Sequence, residues 1–461
     1  MTDRITSCGL TANQQFICAY DDGDDGPFGP HYTITHGWWV YGEVSATEVQ
    51  SALDTLSRRH EVLNTVIQRA GGSTVNEAHQ EIHPARPVPL RVVEEVDDVD
   101  RDRSTAEHLA HARNTPLPAT ELPLMRATLV VFTPETLLLI LTFHHLAVDG
   151  VAVRVLAREL AELLAREQGH VCESLPEPAP YREYAAWEEK FLCSDDAERH
   201  RQHWRRVLDG ARIQTWPTDV ARGSGRVKTT GTCRFTIDVD TTARLHATAR
   251  AHNATLFMVC FAAYALLCAR EGEPEVTVPT FSPGRPPDFA ETVGPFFNFT
   301  PLRIDLRAGR TLTEAIERVR GAALAASEHD IPAIPALVPE TMMPAMQSDR
   351  ATAVFQVFPF PHLLDHTRVG GLEFTEVRRW SAESANGSGS SDDEGAQIPD
   401  GCLWTVSLDP NTPDIVGTLD YRRDLFDPAT ARGLARRYVD LLEQTTAAPD
   451  VAVEQLALED A

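Results

Sequence analysis

Apolar residues recur at three- and four-residue spacing in several segments of the chain, and this spacing predicts amphipathic helices. The clearest segment follows Gly150, where the apolar stripe consists of Val151, Val155, Leu156, Leu160, Leu163 and Leu164. An earlier helix is predicted after Ser45, because Ser45 and Glu48 have the S-x-x-E spacing of a capping box ahead of another apolar stripe. The same criterion predicts helices over residues 241–251, 255–270 and 428–442.

Shorter apolar runs rich in β-branched residues lie between these helices and predict strands. Residues 127–132 and 137–143 flank the turn-forming sequence Thr-Pro-Glu-Thr, so we expect a β-hairpin there. Two further strands are expected at residues 232–239 and 275–281. The mixture of helices and strands in both halves of the chain indicates an α/β or α+β fold.

The length of 461 residues is large for one hydrophobic core and favours two domains. Pro and Gly in residues 215–227 suggest the connection between two halves of similar size. We therefore divide the chain into an N-terminal lobe at 1–185, a connection at 186–227 and a C-terminal lobe at 228–461. Residues 385–401 are rich in Gly, Ser and acidic side chains without periodicity, which predicts a mobile loop.

The formal net charge of −25 excludes the basic surface that a nucleic-acid-binding protein needs, and it disfavours an anionic membrane surface. The 8 cysteines form no C-x-x-C pair, residues 1–15 lack the apolar core of a signal peptide, and no apolar stretch is long enough to span a membrane. These features predict a cytoplasmic protein. The histidines lack the Cys/His spacing of a zinc site, so we expect no metal.

The candidate chemistry lies in the sequence His-His-Leu-Ala-Val-Asp-Gly at residues 144–150, at the end of the predicted hairpin. Neighbouring residues on a strand point to opposite faces, so one histidine can face a cleft while the other braces the turn. A neutral imidazole is a suitable general base for an amine or alcohol nucleophile. Asp149 could orient the imidazole or hold the loop through an ion pair with an arginine. Gly150 leaves a backbone N–H near a helix start, where an oxyanion could be stabilised.

A lone histidine in such a place is more often a packed core residue or a loop cap than a catalytic base. Four specified residues at fixed spacing are harder to attribute to chance. The segment therefore indicates a catalytic site.

The segment at 144–150 resembles the H-H-x-x-x-D-G signature of nonribosomal-peptide condensation domains, within the wider group of chloramphenicol-acetyltransferase-like acyltransferases. Further segments support the resemblance in the family's order along most of the chain. Residues 10–15 are similar to the opening motif, 59–65 to R-H-E-x-L-R-T, 181–187 to Y-x-D-Y-A-x-W and 293–298 to I-G-x-F-V-N, while 355–357 and 421–427 fit later motifs.

This resemblance implies two acetyltransferase-like lobes in a V-shaped pseudo-dimer, with a tunnel between them. Matched position by position, His145 is the catalytic base, and His144 and Gly150 support it. Asp149 matches a residue whose role is mainly structural, and Arg285 stands where its ion-pair partner is expected.

The resemblance also places Asn298 and Val151 at the substrate tunnel. Several residues depart from the family motifs at positions that line or approach that tunnel. The departures are Asn64, Val151, Ala152, Phe299 and the loosely matching residues 329–332. They predict a substrate other than that of a standard peptide elongation step.

The reaction implied is transfer of an acyl or aminoacyl group from a thioester on a phosphopantetheine arm to a small-molecule amine or alcohol. We find no carrier, adenylation or thioesterase segment, so we expect a free-standing condensation enzyme with no permanently bound cofactor. An acyl-loaded peptidyl carrier protein would then supply the arm in trans. A monomer is compatible with this fold because one chain holds both lobes. Free-standing members of this kind resemble tailoring enzymes, including those that attach an acid to an enediyne core.

Three alternatives remain open. An epimerisation domain has a very similar histidine segment, but its Glu-Gly-His-Gly-Arg sequence is replaced here by Ser-Pro-Gly-Arg-Pro at 282–286. A coenzyme-A-dependent acyltransferase would carry a D-F-G-W-G motif, which is missing. A non-catalytic carrier-recruitment module would have altered histidines, whereas His144 and His145 are both intact.

Overall fold

The structure is a computed structural model. It describes residues 5–19, 26–69, 78–95, 100–170, 175–269, 273–307, 310–330, 332–346, 351–359, 364–377, 398, 400–409 and 412–456.

Strands and helices alternate along the chain and are numbered in chain order. The strands are β1 (Thr6–Cys8), β2 (Thr33–Tyr41), β3 (Thr65–Gln68), β4 (His79–Ile82), β5 (Leu90–Glu94), β6 (Met125–Thr133), β7 (Thr136–His144), β8 (Thr215–Trp216), β9 (Thr230–Ile237), β10 (Glu275–Ser282), β11 (Asn298–Asp305), β12 (Ala351–Pro359), β13 (Thr367–Val369), β14 (Leu372–Glu376), β15 (Cys402–Leu408) and β16 (Ile415–Arg422).

The helices are α1 (Ala12–Ala19), α2 (Ala46–Arg59), α3 (Arg101–Asn114), α4 (Gly150–Glu167), α5 (Tyr181–Leu192), α6 (Asp195–Leu208), α7 (Val239–Ala251), α8 (Leu256–Cys268), α9 (Leu312–Ser327), α10 (Ile334–Leu337), α11 (Pro339–Met346) and α12 (Pro428–Ala447). Short 3-10 helices are found at Glu61–Asn64, Pro287–Phe289 and Val453–Gln455.

The chain forms two compact units, each assembled from separate stretches of sequence. The first unit contains Met1–Ser194, Arg285–Phe297 and Pro361–Arg379, and the second contains Asp195–Gly284, Asn298–Phe360 and Trp380–Ala461. The sequence-based division at 1–185, 186–227 and 228–461 used consecutive segments and so differs from these units. Residues 186–227 also hold the end of α5, all of α6 and the strand β8, so they are largely structured.

The first unit is built on a six-stranded sheet with the strand order β13-β14-β2-β7-β6-β5, beside a three-stranded sheet β1-β4-β3. On β7, Leu139 and Leu141 pack in the core formed with α2 and α4. Leu138 and Ile140, on the opposite face, pack with Leu109 of α3. Because helices cover both faces, the sequence of β7 is continuously apolar rather than alternating.

The second unit contains a five-stranded sheet with the order β8-β12-β15-β16-β9 and a separate antiparallel pair, β10 and β11. Only the β12–β15 pairing in the five-stranded sheet is parallel. The aromatic rings of Tyr264, Phe355, Trp404 and Tyr438 are buried together in the core. Their contacting centroids are 4.6 to 6.1 Å apart, so large rings fill the space between this sheet and its helices.

The strongest sequence predictions of secondary structure are confirmed. The apolar stripe after Gly150 is α4, and the predicted hairpin is β6 and β7. Ser45 caps α2 in the predicted capping box, with a distance of 3.2 Å from the Glu48 N–H to the serine Oγ. The mixed α/β class is therefore confirmed.

Other elements were not predicted from the sequence. Polar residues occupy most positions of α3, and its buried face includes Ser104 and Thr105, so its apolar stripe is too narrow to recognise. The predicted mobile loop at 385–401 lies almost entirely outside the described residues. In the described part of the chain, no single helix is long and apolar enough to span a membrane. The pair α7 and α8 meets the length and composition criterion only together, with a bend of 105° between them.

Two glycines of the second unit test this packing. A Cβ at Gly417 in β16 would lie 2.1 Å from the Phe235 ring, whereas a Cβ at Gly321 in α9 would meet nothing within 4 Å. We expect Gly417→Ala to lower the free energy of unfolding by about 1–3 kcal/mol through overpacking. Gly321→Ala should raise it by about 0.5–1 kcal/mol through helix propensity. Urea denaturation measures both, and a Gly417→Ala variant as stable as the parent would contradict this account.

Candidate active site

The candidate site lies in the first unit, where β7 ends and α4 begins. His144 is the last residue of β7, Asp149 is the N-cap of α4, and Gly150 is the first residue of that helix. The Asp149 Oδ1 atom accepts a hydrogen bond of 2.7 Å from the Ala152 N–H, which satisfies one of the free donors at the helix start. The H-H-x-x-x-D-G sequence therefore forms a strand–turn–helix junction whose helix end is fixed by its own aspartate.

His144 is fully buried, and both of its ring nitrogens are engaged with backbone. Its Nδ1 accepts from the Leu146 N–H at 3.2 Å, so its Nε2 carries the proton and donates to the Gly29 carbonyl at 3.2 Å. Burial lowers the pKa of His144 to about 4, which keeps the imidazole neutral. His144 thus braces the turn and has no lone pair to offer a substrate.

His145 is only partly buried, and its ring is surrounded by aromatic side chains. The ring stacks on Tyr32 at 4.8 Å between centroids with 13° between planes, and it meets Phe297 edge-on at 5.4 Å. The backbone N–H of His145 donates to the Tyr32 carbonyl at 2.9 Å. The backbone hydrogen bond to Tyr32 and the two ring contacts therefore define the position of this imidazole.

Burial lowers the pKa of His145, while its own carbonyl, the charge of Asp149 and the Val148 carbonyl oppose that shift. The imidazole is therefore neutral near pH 7 and able to accept a proton. Its Nδ1 is buried, and no hydrogen bond of normal geometry reaches it from the described residues. A neutral imidazole carries its proton on one ring nitrogen and offers the lone pair of the other to a proton donor.

Asp149 is buried, and both of its carboxylate oxygens have partners away from His145. Oδ1 contacts Arg285 at 2.7 Å in addition to the Ala152 N–H, and Oδ2 accepts from the Phe296 N–H at 3.0 Å. The arginine expected from the family pattern is thus beside this aspartate. These contacts give Asp149 a structural task, and none of them involves the imidazole of His145.

Arg285 uses its remaining donors to shape the segment 285–297. Its guanidinium donates to the carbonyls of Phe289, Thr292 and Gly294. The same group lies over the Phe296 ring, 4.1 Å from the centroid. The pair with Asp149 is almost fully buried, at 6% and 5% side-chain exposure, so it is shielded from solvent and salt.

Two residues that the sequence analysis did not single out hold the end of this segment. The Asn13 amide donates to the Pro295 carbonyl at 2.9 Å and to the Phe297 carbonyl at 2.8 Å. The Tyr181 hydroxyl donates to the Pro295 carbonyl at 3.1 Å. A Cβ at Gly294 would lie 2.2 Å from the Tyr181 ring, so only glycine fits there. Asn13 lies in the family-like motif at 10–15 and Tyr181 in the motif at 181–187. The resemblance was therefore the sequence signal that could have identified these two residues.

The motif at 59–65 also has a structural explanation. Arg59 Nε and His60 Nε2 contact the Glu159 carboxylate of α4 at 2.8 and 3.0 Å. Burial alone would raise the pKa of Glu159, but hydrogen bonds and charge from these two residues lower it to about 2. The motif therefore joins the end of α2 to the helix that begins at the active site.

The two residues expected at a substrate tunnel differ in their surroundings. Val151, in the first turn of α4, keeps some accessible surface. Asn298, in the second unit, is fully buried, donates to Asp330 and accepts from the Ile334 N–H at 2.9 Å. These hydrogen bonds account for its buried amide, and its expected place at a substrate tunnel stays a prediction. Among the described residues, no group of three or more His, Cys, Asp or Glu side chains is arranged to hold a metal ion.

Comparison with known proteins identifies the scaffold. Residues 26–461 match the model of the condensation domain family. The chain is 30% identical over 441 residues to a probable non-canonical nonribosomal peptide synthetase, CymA, from Salinispora arenicola, covering 92% of this chain and 5% of that protein. The chain spans only 5% to 16% of the length of the curated relatives that it matches, such as this one.

Solved structures extend over the whole chain. The SgcC5 protein from Streptomyces globisporus, in complex with (R)-(-)-1-(2-naphthyl)-1,2-ethanediol and sucrose, is 35% identical with a TM-score of 0.86, covering 96% of this chain and 100% of that one. The first condensation domain of the CDA synthetase has a TM-score of 0.76 at 20% identity, covers 99% of each chain and supports the fold alone. The chain therefore belongs to the condensation domain family, the acyltransferases of nonribosomal-peptide biosynthesis.

Proposed function

We propose that this protein transfers an acyl or aminoacyl group from a carrier-bound thioester to a hydroxyl group of a small molecule, forming an ester. The observation that carries the proposal is the neutral, partly accessible imidazole of His145 at the H-H-x-x-x-D-G junction. Condensation domains act on carrier-bound substrates, and this chain has the family's complete histidine pair. An amine acceptor, which would give an amide, is the alternative within the same chemistry.

An alcohol acceptor is favoured by the SgcC5 structure, which is 35% identical and holds a 1,2-diol. A neutral hydroxyl is a weak nucleophile and benefits from a base more than an amine does. The departure at Val151, which keeps some accessible surface in the first turn of α4, agrees with a non-peptide acceptor. An enediyne core as the acceptor, and a cytoplasmic location, are parts of the same proposal.

In the proposed step, Nε2 of His145 accepts the proton of the acceptor hydroxyl while its oxygen attacks the thioester carbonyl carbon. The new C–O bond forms, the C–S bond breaks, and the phosphopantetheine sulfur leaves and takes up the proton from the imidazolium. The backbone N–H of Gly150, at the positive end of α4, would stabilise the oxyanion. In this proposal a carrier protein supplies the phosphopantetheine arm, and the residues at 144–150 act without a bound cofactor.

The other residues of the signature have positioning roles in this proposal. His144 fixes the turn through the Gly29 carbonyl and the Leu146 N–H. Asp149 and Arg285 fix the start of α4 against the segment 285–297.

The first prediction concerns product formation. With a panel of acyl-loaded carrier proteins and alcohol or amine acceptors, the parent should form an ester that mass spectrometry detects. His145→Ala should reduce the rate by about 10²–10⁴-fold, the usual contribution of a general base. Circular dichroism would show that the variant is folded.

Other products would overturn the proposal in distinct ways. Scrambling of the donor α-carbon without condensation would indicate an epimerisation domain. Transfer from acyl-coenzyme A in preference to the loaded carrier would indicate a coenzyme-A-dependent acyltransferase. Carrier binding without any product would indicate a recruitment module.

The second prediction concerns pH. Because the base must be unprotonated and burial lowers its pKa, kcat/KM should fall on the acid side with an apparent pKa below 6.5. The residual activity of His145→Ala should lack this acid limb. An acid limb at or above 6.5 in the parent, measured with saturating carrier, would argue against His145 as the base.

The third prediction tests whether the ion pair of Arg285 with Asp149 stabilises the fold. Arg285→Ala leaves the Asp149 carboxylate buried and unpaired, so the free energy of unfolding should fall by about 3–5 kcal/mol. The matched control is Arg158→Ala, which breaks the half-exposed Arg158–Glu291 pair with the same segment and should cost less than about 1 kcal/mol. Equal effects of the two variants in denaturant titrations would contradict the structural assignment of Arg285.

A further inference from the structure

Glu188 of α5 is a buried carboxyl group without a cationic partner. It is 2% exposed, and no described residue forms an ion pair with it. Its Oε2 atom accepts a hydrogen bond of 2.6 Å from the Ala12 N–H, and its Oε1 atom accepts one of 2.8 Å from the Tyr184 hydroxyl. Burial of a carboxyl group away from positive charge favours the neutral acid. This group is therefore placed to bind a proton in the folded protein.

A second buried glutamate of the same unit shows what a cationic partner changes. Glu159 is also 2% exposed, but Arg59 and His60 contact its carboxylate at 2.8 and 3.0 Å. Burial alone would raise the pKa of Glu159, but hydrogen bonds and charge from these two residues lower it to about 2. Burial raises the pKa of Glu188 to about 7, because its two hydrogen bonds offset only part of that effect. The opposite shifts at equal burial reflect the partners of the two carboxyl groups.

The contact of Glu188 with the start of α1 connects this carboxyl to the active site. The Ala12 N–H belongs to the first residue of α1, where a helix leaves its donors unsatisfied. The next residue, Asn13, donates to the carbonyls of Pro295 and Phe297. The docking of α1 therefore places the amide that holds this backbone beside the candidate base.

The other titratable groups around Glu188 carry no net charge that would stabilise its carboxylate. The helix α1 has no charged side chain. On α5, Tyr184 donates to Glu188, and Tyr181 lies three residues earlier. Burial raises the pKa of both tyrosines well above the ordinary value, so both are neutral. Asp149 and Arg285 act on Tyr181 with opposite signs and form an ion pair with each other.

We propose that Glu188 is a positioning residue that couples the docking of α1 to the binding of a proton. The neutral acid remains buried at the helix start, whereas ionisation favours the hydrated carboxylate and weakens that contact. A carboxyl group whose pKa is higher in the docked state favours docking at low pH, and this contribution is lost as the pH rises from 4.5 to about 7. Glu188 acts on the segment 295–297 only through Asn13. Its effect on kcat rests on the proposed acyl transfer, but the proton linkage does not.

Hydrogen exchange of the α1 amides, measured by mass spectrometry and corrected for the intrinsic exchange rate, reports the docking equilibrium. In the parent this equilibrium should weaken by roughly 10- to 100-fold between about pH 5 and about pH 8. Glu188→Gln keeps an acceptor for the Ala12 N–H but cannot ionise, so it should lose most of this pH dependence. The matched control is Glu189→Gln, which makes the same charge change at the exposed neighbour on α5 and should behave like the parent.

Two further variants separate the proton from the contact. Tyr184→Phe removes a hydrogen bond that favours the charged form, so the pKa of Glu188 should rise further. NMR titration with isotope-labelled glutamate measures this pKa, and Glu188→Gln identifies the resonance. Glu188→Ala leaves the Ala12 N–H unsatisfied and should lower kcat by about threefold to tenfold through misplacement of the active-site backbone. Glu188→Gln should retain most of the parent's kcat.

The proposal is overturned if Glu188→Gln and the parent show the same pH dependence of α1 exchange, or if the Glu188 carboxyl titrates at or below its ordinary pKa of 4.5. A parental kcat in Glu188→Ala would contradict the positioning role. Should Glu188→Ala fail to fold, Glu188→Gln and Tyr184→Phe still carry the test. If the parent shows no acyl transfer with any acceptor, the proposed function fails, while hydrogen exchange still decides the proton linkage.

Discussion

The buried ion pair between Asp149 and Arg285 is the interaction on which the arrangement of the active site depends. One carboxylate caps α4, pairs with the guanidinium and accepts the Phe296 N–H. The guanidinium then ties together three carbonyls of its own segment. A buried ion pair adds little net stability compared with apolar residues of the same volume. Its value here is geometric, because a different register of the segment would leave a charge and several polar groups unpaired.

The two adjacent histidines at this junction have different roles. His144 has both ring nitrogens bound to backbone, and burial lowers its pKa to about 4. His145 keeps accessible surface and has aromatic neighbours. The three contacts of Asp149 go to Ala152, Arg285 and Phe296, so its effect on the imidazole is that of a nearby charge, which raises the pKa of His145 against the larger effect of burial. A thioester tolerates such a modest base, because a thiol has a pKa of about 8.5 and its thiolate leaves readily.

The sequence predicted those elements that depend only on residues close together in the chain. Amphipathic spacing and capping revealed α2 and α4, and fixed spacing of functional groups revealed the residues at 144–150. The resemblance placed Arg285 beside Asp149, which the structure shows at 2.7 Å. Tyr32 lies outside the quoted motifs and contacts His145 only through the register of β2 and β7, which a sequence pattern does not fix. The resemblance placed Asn298 at the substrate tunnel, and that remains a prediction; in the structure its side chain hydrogen-bonds to Asp330 and to the Ile334 N–H within the second unit.

The segment 295–297 shows how such a scaffold can change its substrate while keeping its chemistry. Its backbone is held by Asn13, Tyr181 and Asp149, and these contacts do not involve the side chain of residue 297. The side chain of residue 297 can therefore vary in volume and polarity without moving the backbone of this segment. A ring at Phe297, where the related motif has Val, makes the surroundings of His145 larger and more aromatic. For the proposed ester formation, we expect this aromatic surface to favour an acceptor with extended apolar surface over the aminoacyl group of a peptide elongation step.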